Sequence, residues 1–487
     1  MKTKKSISNM HSLSFFLSLL ALACSTVGVT PAHAATLTVT HSGDSGAGSL
    51  RAAITSAGIA DTIIFDASLS GATIYLATTL DLTNNVTIDG SALAAPITLS
   101  GDTDNNSVGD VGVFYVHPGV TATVDSLNIT KGYTNGFGGG IKSYGTLTVT
   151  NSTLSGNSGF YGGGISTSGG STLTVTHSTL SGNSGTYGGG IYNGGDALTI
   201  TDSALSNNSA ASTGGGIYST GTLTIINSTL LSNVSATSGG GIFSTGTLTI
   251  TNTTLVGNSA LAGSGGGIWS GNTLLVNNST LSVNSVNGDG GAIYSSRALT
   301  IINSTLADNT ATGSGGGIYV YETTANLYNS SIVFNGADAD ADLTGSAGGI
   351  YNNDGLGANA NLHNTLVAGN TVGKTPVYND CAGTLHSYGR NLFWDATGCT
   401  VSTNSGSWTT LNSLGFLGPL QNNGGPTWTV ALLPGSNAID GGDPAGCTDD
   451  KGNPLPTDQR GFAREVGVTC DIGAFEYSDV IFANGFE

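Results

Sequence analysis

Gly214-Gly215-Gly216-Ile217-Tyr218, then Thr222-Leu223-Thr224-Ile225-Ile226, then Leu230-Leu231-Ser232-Asn233 make up one unit of a pattern that recurs along the chain. Working outward, Gly-Gly-Gly-Ile ends at Ile141, Ile165, Ile191, Ile217, Ile242, Ile268 and Ile318, with Gly-Gly-Ala-Ile at Ile293 and Gly-Gly-Ile at Ile350. Successive markers are 24 to 26 residues apart, and only the last interval stretches to 32. A second marker, an aliphatic residue followed three positions later by Asn, keeps the same beat at Asn157, Asn183, Asn208, Asn233, Asn258, Asn284, Asn309 and Asn335, with Asn370 after a longer gap. Between the markers Thr alternates with Leu, Ile or Val, as in Thr146-Leu147-Thr148-Val149-Thr150, the period of a half-buried strand. A fixed period of about 25 residues holding three short extended pieces, each closed by Gly or Asn, predicts one coil of a parallel β-helix. Gly supplies positive-φ corners, and Asn tolerates a left-handed corner while its amide reaches the Asn of the next coil.

The composition agrees. Gly accounts for 77 of 487 residues, where roughly 7% is usual, and only 9% are charged against roughly 25%. Gly, Ser, Thr and Asn are poor helix-interior residues, so helical solenoids are excluded. Collagen is excluded by the lack of a G-X-Y period and by only 10 Pro. Apolar residues at 38% with low charge argue against disorder. The net charge of −18 repels phosphate backbones, so no nucleic-acid partner is expected.

Residues 1–34 read as a secretory signal. Lys2, Lys4 and Lys5 form the basic region, Leu13 to Ala23 the apolar run, and Ala32-His33-Ala34 the cleavage site. Its removal takes the net charge to −21 and discards Cys24. No later segment is long and apolar enough to cross a membrane as a helix. Four cysteines remain, Cys381, Cys399, Cys447 and Cys470, which in an exported protein suggests two disulfides with three pairings open; the neighbour pairing is favoured over the others and over zinc. The expected organisation is a leader at 1–34, an N-terminal cap with the first coils at 35–135, and the repeat β-helix at 136–375. A C-terminal cap follows at 376–477, then a tail at 478–487. Ser49 to Ala57 is the one expected helix, with Leu50, Ala53, Ile54 and Ala57 on one face, placed to cover the first coil.

These markers resemble those of exported bacterial right-handed parallel β-helix proteins. They are similar to polymorphic outer-membrane protein repeats, which set F-x-x-N beside G-G-A-I; here Leu154, Leu180, Leu230 and Leu306 stand for the Phe. Those proteins end in a membrane barrel, for which the stretch after the repeats is too short. Asn437-Ala438-Ile439-Asp440, Asp458-Gln459-Arg460-Gly461 with Arg464, and Cys470-Asp471-Ile472-Gly473-Ala474-Phe475-Glu476 resemble the choice-of-anchor Q domain at the ends of bacterial surface β-helix proteins. The tail Ile481 to Glu487 is similar to short tails of some exported proteobacterial proteins. The resemblance implies an exported, extracellular or outer-surface protein.

Many β-helix proteins are polysaccharide lyases or hydrolases, which need several charges converging from adjacent coils. Between Ile141 and Tyr321 the charges are Lys142, Asp196, Asp202, Asp289, Arg297 and Asp308, too sparse for either constellation. No catalytic residue is assigned. Asp338, Asp340 and Asp342 alternate and are a candidate Ca²⁺ set, set against the plainer reading of a solvated acidic loop; no other cofactor is expected. The sequons, such as Asn227-Ser228-Thr229, read as products of the repeat rather than as glycosylation sites.

The residue after each marker Ile is aromatic from the third copy onward: Tyr192, Tyr218, Phe243, Trp269, Tyr294, Tyr319 and Tyr351. If Ile points inward, these rings point outward and stack into an external ladder. Such a ladder can bind carbohydrate or a cell-surface protein, or serve stability alone. The expectation is therefore an exported, non-catalytic β-helix of adhesion or recognition. The alternatives are a pectate-lyase-like lyase or glycoside hydrolase, and a purely structural surface protein. The oligomeric state is left open.

Overall fold

The computed structural model describes residues 34–340, 344–373, 377–464 and 467–478. The expected leader, apart from Ala34, and the tail from 479 onward lie outside the described residues. The chain is a parallel β-solenoid of about 14 turns with coils of about 25 residues, 4% helical. Each full coil contributes to three long sheets in turn. Sheet I holds the Ile strands, such as Ile217–Ser219; sheet II the Thr-Leu strands, such as Thr222–Ile226; sheet III the short strands, such as Thr229–Leu231. A fourth row of strands only two to five residues long, such as Val234–Ser235, leads back to the Gly run. Neighbouring coils pair residue for residue, Ile217 on Ile242, Leu223 on Leu248 and Leu230 on Leu255.

Strand alternation turns Ile217, Leu223, Ile225 and Leu230 inward, and all four are fully buried. The same holds coil after coil, so one apolar column runs from Val39 to Phe393. Burying each such side chain is worth roughly 1.5–3 kcal/mol before conformational entropy is subtracted.

The corners divide their duties more finely than the sequence reading anticipates. The left-handed corner between sheets II and III is held by Asn151, Asn227, Asn252, Asn278, Asn303, Asn329 and Asn364, with His177 and Asp202 in the same place, all near φ +50°. Six of these seven asparagines, all but Asn364, open sequons. The marker asparagines do the other job: they are buried, and each amide bonds the next coil. Asn233 Nδ2 donates to Asn258 Oδ1 at 2.9 Å and its backbone N–H to the same oxygen at 3.1 Å, while Nδ2 also donates to Leu205 O. The ladder runs from Asn157 to Asn370 and ends on Asp380. Beside it runs a second ladder that sequence reading missed. Ser178 N–H donates to Ser203 Oγ, Ser203 N–H to Ser228 Oγ, and Ser228 N–H to Thr253 Oγ1. The sequon thus encodes a corner Asn, a ladder hydroxyl and a strand Thr.

In the Gly run, Gly214 takes φ +69°. Its neighbours are needed for a different reason: a Cβ on Gly215 would lie 2.3 Å from Gly240 O, and one on Gly216 2.7 Å from Gly241 O. Positive φ and close coil approach are therefore separate demands within one motif.

At the start, the strand Thr36–Val39 and the helix Leu50–Ser56 precede the regular coils. Ser49 caps the helix by accepting from Ala52 N–H, and Leu50, Ile54 and Ala57 are buried on the apolar column. At the other end, Cys381–Tyr388, Arg390–Phe393, Cys399–Thr403 and Ser407–Thr410 add further coils rather than covering the last one. The chain then turns back and lies along sheet III. The hairpin Leu417–Gln421 and Thr429–Leu432 begins this flap. The physical reason is visible on sheet III. Its outward positions change from Ser155 and Ser181 to Ala307, Val333 and Ala368, which form a second core with Leu411, Val430, Leu432 and Ile472. The disulfides are Cys381–Cys399 and Cys447–Cys470, the neighbour pairing.

Candidate functional site

Sheet I positions the aromatic residues. Its register sets Tyr192 beside Tyr218, then Phe243, Trp269, Tyr294, Tyr319 and Tyr351, one ring per coil. Inward Ile and outward ring alternate as strand geometry requires. Ring centroids of successive pairs are 5.1, 5.2, 4.2, 6.3, 5.1 and 4.8 Å apart, with planes within 18° of parallel. Parallel rings at about 5 Å can only be offset-stacked, because coplanar rings would collide. The ladder therefore exists, and each internal ring has both faces turned to its neighbours. Edges and phenol hydroxyls are what remain for solvent.

A second, shorter stack flanks the first. Phe137, Tyr161 and Tyr187 are stacked at 4.7 and 5.6 Å, and Tyr161 and Tyr187 lie 4.8 and 5.7 Å from Tyr192 and Tyr218. Sequence reading missed these three. The signal was present: each immediately precedes the first Gly of its run. Burial among the rings raises the hydroxyl pKa of Tyr192, Tyr218 and Tyr294, and pushes Tyr319 up to about 12. These phenols stay neutral donors through the physiological range. Tyr319, the most buried ring, accepts a hydrogen bond from Asn353 Nδ2 at 3.1 Å.

The Ca²⁺ candidates fare as follows. Asp338 is buried in a left-handed turn, Asp340 is exposed, and Asp342 lies outside the described residues. Another acidic group was missed. Asp102, Asp104 and Asp110 hold carboxylate oxygens within 4.8 Å of one another in one loop. Lys131 Nζ, 3.1 Å from the buried Asp102, supplies positive charge there, and Asn106 and Ser107 N–H groups donate to the same carboxylate. A groove of about 540 Å³ follows the short fourth row past Ser184, Gly185, Ala210 and Ala236, with Tyr133, Phe160 and Leu261 at its edges. Its lining carries no carboxylate, amine, imidazole or thiol.

The flap gathers charges that the coils between Ile141 and Tyr321 hold only sparsely. Arg464, fully buried, lies 3.4 Å from Glu476 and donates to Asn303 Oδ1 on the rod at 2.7 Å. Arg460 pairs with Asp458 at 2.7 Å and lies over the Phe475 ring. Burial first, and the nearby Glu476 charge second, raise Asp471 to about 7. Gln459 reaches both Thr280 and Thr305 of the rod. Gln459 and Arg464 thus fasten the flap to the coils.

With this geometry in hand, two stretches, residues 202–220 and 303–321, match the Chlamydia polymorphic membrane protein repeat. Each runs from a left-handed corner residue, Asp202 or Asn303, through a ladder Asn to the Gly run and the ring after it. The chain is a parallel β-helix protein, and these two stretches of it are similar to the polymorphic membrane protein repeat. No curated protein matches it. The two disulfides suit an exported chain. No helix among the described residues is long and apolar enough to cross a membrane.

Proposed function

We propose that this is an exported, non-catalytic recognition rod of the cell surface or extracellular space, binding carbohydrate or a surface protein along its aromatic column. The observation that supports this reading is the column itself: seven rings in one register, half-buried for the most part, presenting neutral hydroxyls and apolar edges along one side. Edge presentation favours partners that hydrogen-bond to phenols over sugars that stack on ring faces. The test is glycan-array and cell-surface binding by the protein and by Tyr218→Ser, Trp269→Ser and Tyr294→Ser variants. Loss of binding with unchanged β circular dichroism is expected, and unchanged binding rejects the column as the contact surface.

Two alternatives are separated by experiment. A lyase or hydrolase would release unsaturated products or new reducing ends from acidic or neutral polysaccharides, with or without Ca²⁺; no product is expected. The purely structural reading is favoured by the stacking of ring on ring. It predicts that the same variants melt earlier but bind nothing to begin with.

A further inference from the structure

Sheet II carries an outward array that the aromatic column does not explain. Its central column is Thr in every strand from Thr36 through Thr148, Thr174 and Thr199 to Thr249, each paired directly with the next. In the six strands between Thr121 and Thr251, the outward positions on either side are also Thr, broken by Asp125, Ala197 and Ile226. Asp125, at one corner, is the single charge in the array among the described residues. One hydroxyl-to-hydroxyl contact, Thr172 to Thr146 at 3.3 Å, occurs within it. The other hydroxyls have no protein partner among the described residues, so they face solvent.

β-propensity alone would favour Thr on any such surface. Sheet III, built on the same coils, is the control: its outward positions hold Ser155, Leu231 and Val256 among its Thr. The Thr grid is therefore particular to sheet II. It repeats every ~4.8 Å along the rod and every ~6.7 Å across it, covering roughly 24 by 13 Å. The asparagine and hydroxyl ladders lock the coils in register, a device that keeps stacked strands flat. This lattice of hydroxyls, each with a methyl beside it, carries one charge, Asp125 at its corner, and offers no cluster of charges to an ion. It also lacks the exposed ring faces that hold crystalline sugar. Its two repeats approximate the oxygen spacings on the prism face of hexagonal ice. Each hydroxyl can anchor one lattice water while each methyl occupies the gap between waters.

We propose that the Thr face of sheet II is an ice-binding surface, with the prism face of an ice crystal as its ligand. Desolvation there costs little because Asp125, at the corner, is the one charge in the array. The experiment measures ice-recrystallisation inhibition and thermal hysteresis of the full-length protein, with Thr174→Tyr/Thr199→Tyr on the array and Thr179→Tyr on sheet III as the control. The wild type is expected to inhibit recrystallisation, the double variant to lose at least about tenfold in potency, and the control to keep it. Circular dichroism and melting confirm folding; if the Tyr pair melts early, Thr174→Lys/Thr199→Lys is expected to show the same loss. A folded wild type that leaves ice unaffected overturns the proposal. So does full activity in a folded double variant, or binding to crystalline cellulose without any effect on ice. Tyr218→Ser is expected to leave ice activity intact, so this test fails or succeeds independently of the aromatic column.

Discussion

Rod and flap are stabilised in opposite ways. In the rod every interaction is repeated: the inward Leu, the asparagine bond, the hydroxyl bond and the stacked ring recur once per coil. In the flap each contact is made once. Arg464 to Asn303, Gln459 to Thr280 and Ala474 N–H to Ser331 Oγ have no copies elsewhere. From Ile141 to Tyr321 the rod carries only scattered charges, whereas the flap buries Asp458, Arg464, Asp471 and Glu476 together. Repetition distributes stability along one dimension, and a single-copy interface concentrates it at a few polar groups.

The sharpest way to break this contrast is within the rod. Asn258→Ala removes the acceptor for Asn233 and the donor to Leu230 O and Asn284, leaving several buried polar groups unsatisfied. A loss of roughly 3–6 kcal/mol is expected, read as faster hydrogen exchange in the coils on either side and a lower melting temperature. If exchange rises uniformly along the chain, the one-dimensional picture fails. Arg464→Met should cost about 3–5 kcal/mol, because Glu476 loses its buried partner. Here the effect should be local: the flap becomes protease-sensitive while the rod's β signal persists. A smaller effect, about 0.5–1.5 kcal/mol, is expected for Tyr218→Ala through lost stacking on Tyr192 and Phe243.

The finest probe is pH. His363 is stacked between Tyr328 and Tyr388, and burial pushes its pKa down to about 4. The unfolded chain takes up that proton near 6.5, but the folded one only near 4. Its contribution is therefore complete above pH 6.5 and is lost as pH falls toward 4. Asp380, at the end of the asparagine ladder, has the opposite sign. Burial lifts it to about 7 despite four donors from Asn370, Trp394 and Asp395, so its contribution falls as pH rises from about 4 to 7. A His363→Asn variant should lose the acid-side decline attributed to His363, measured as the difference in melting temperature from wild type across pH 4–7.

The coil period, the inward Leu and Ile, the aromatic register and the disulfide pairing were all legible in the sequence. The first three are encoded by neighbours at a fixed offset of about 25 residues, while the pairing was the favoured one of three that four cysteines leave open. The helix Leu50–Ser56 was legible from its apolar face. Three features depended on the tertiary structure. Asn227 and Asn233 look alike as residues, yet one bends the chain and the other bonds the next coil; only backbone φ and burial separate them. Whether the rings offer faces or edges depends on centroid distances and planes, which an amino-acid pattern does not carry. The flap joins Gln459 to Thr280 across 179 residues with no repeat to announce it, and its position follows from the apolar patch that sheet III acquires at Ala307 and Val333. The sequence by itself determined the repeating rod, because each coil needs only its neighbours. The tertiary structure decided which surfaces that rod covers and which it leaves open, because those depend on contacts made once, far apart in the chain.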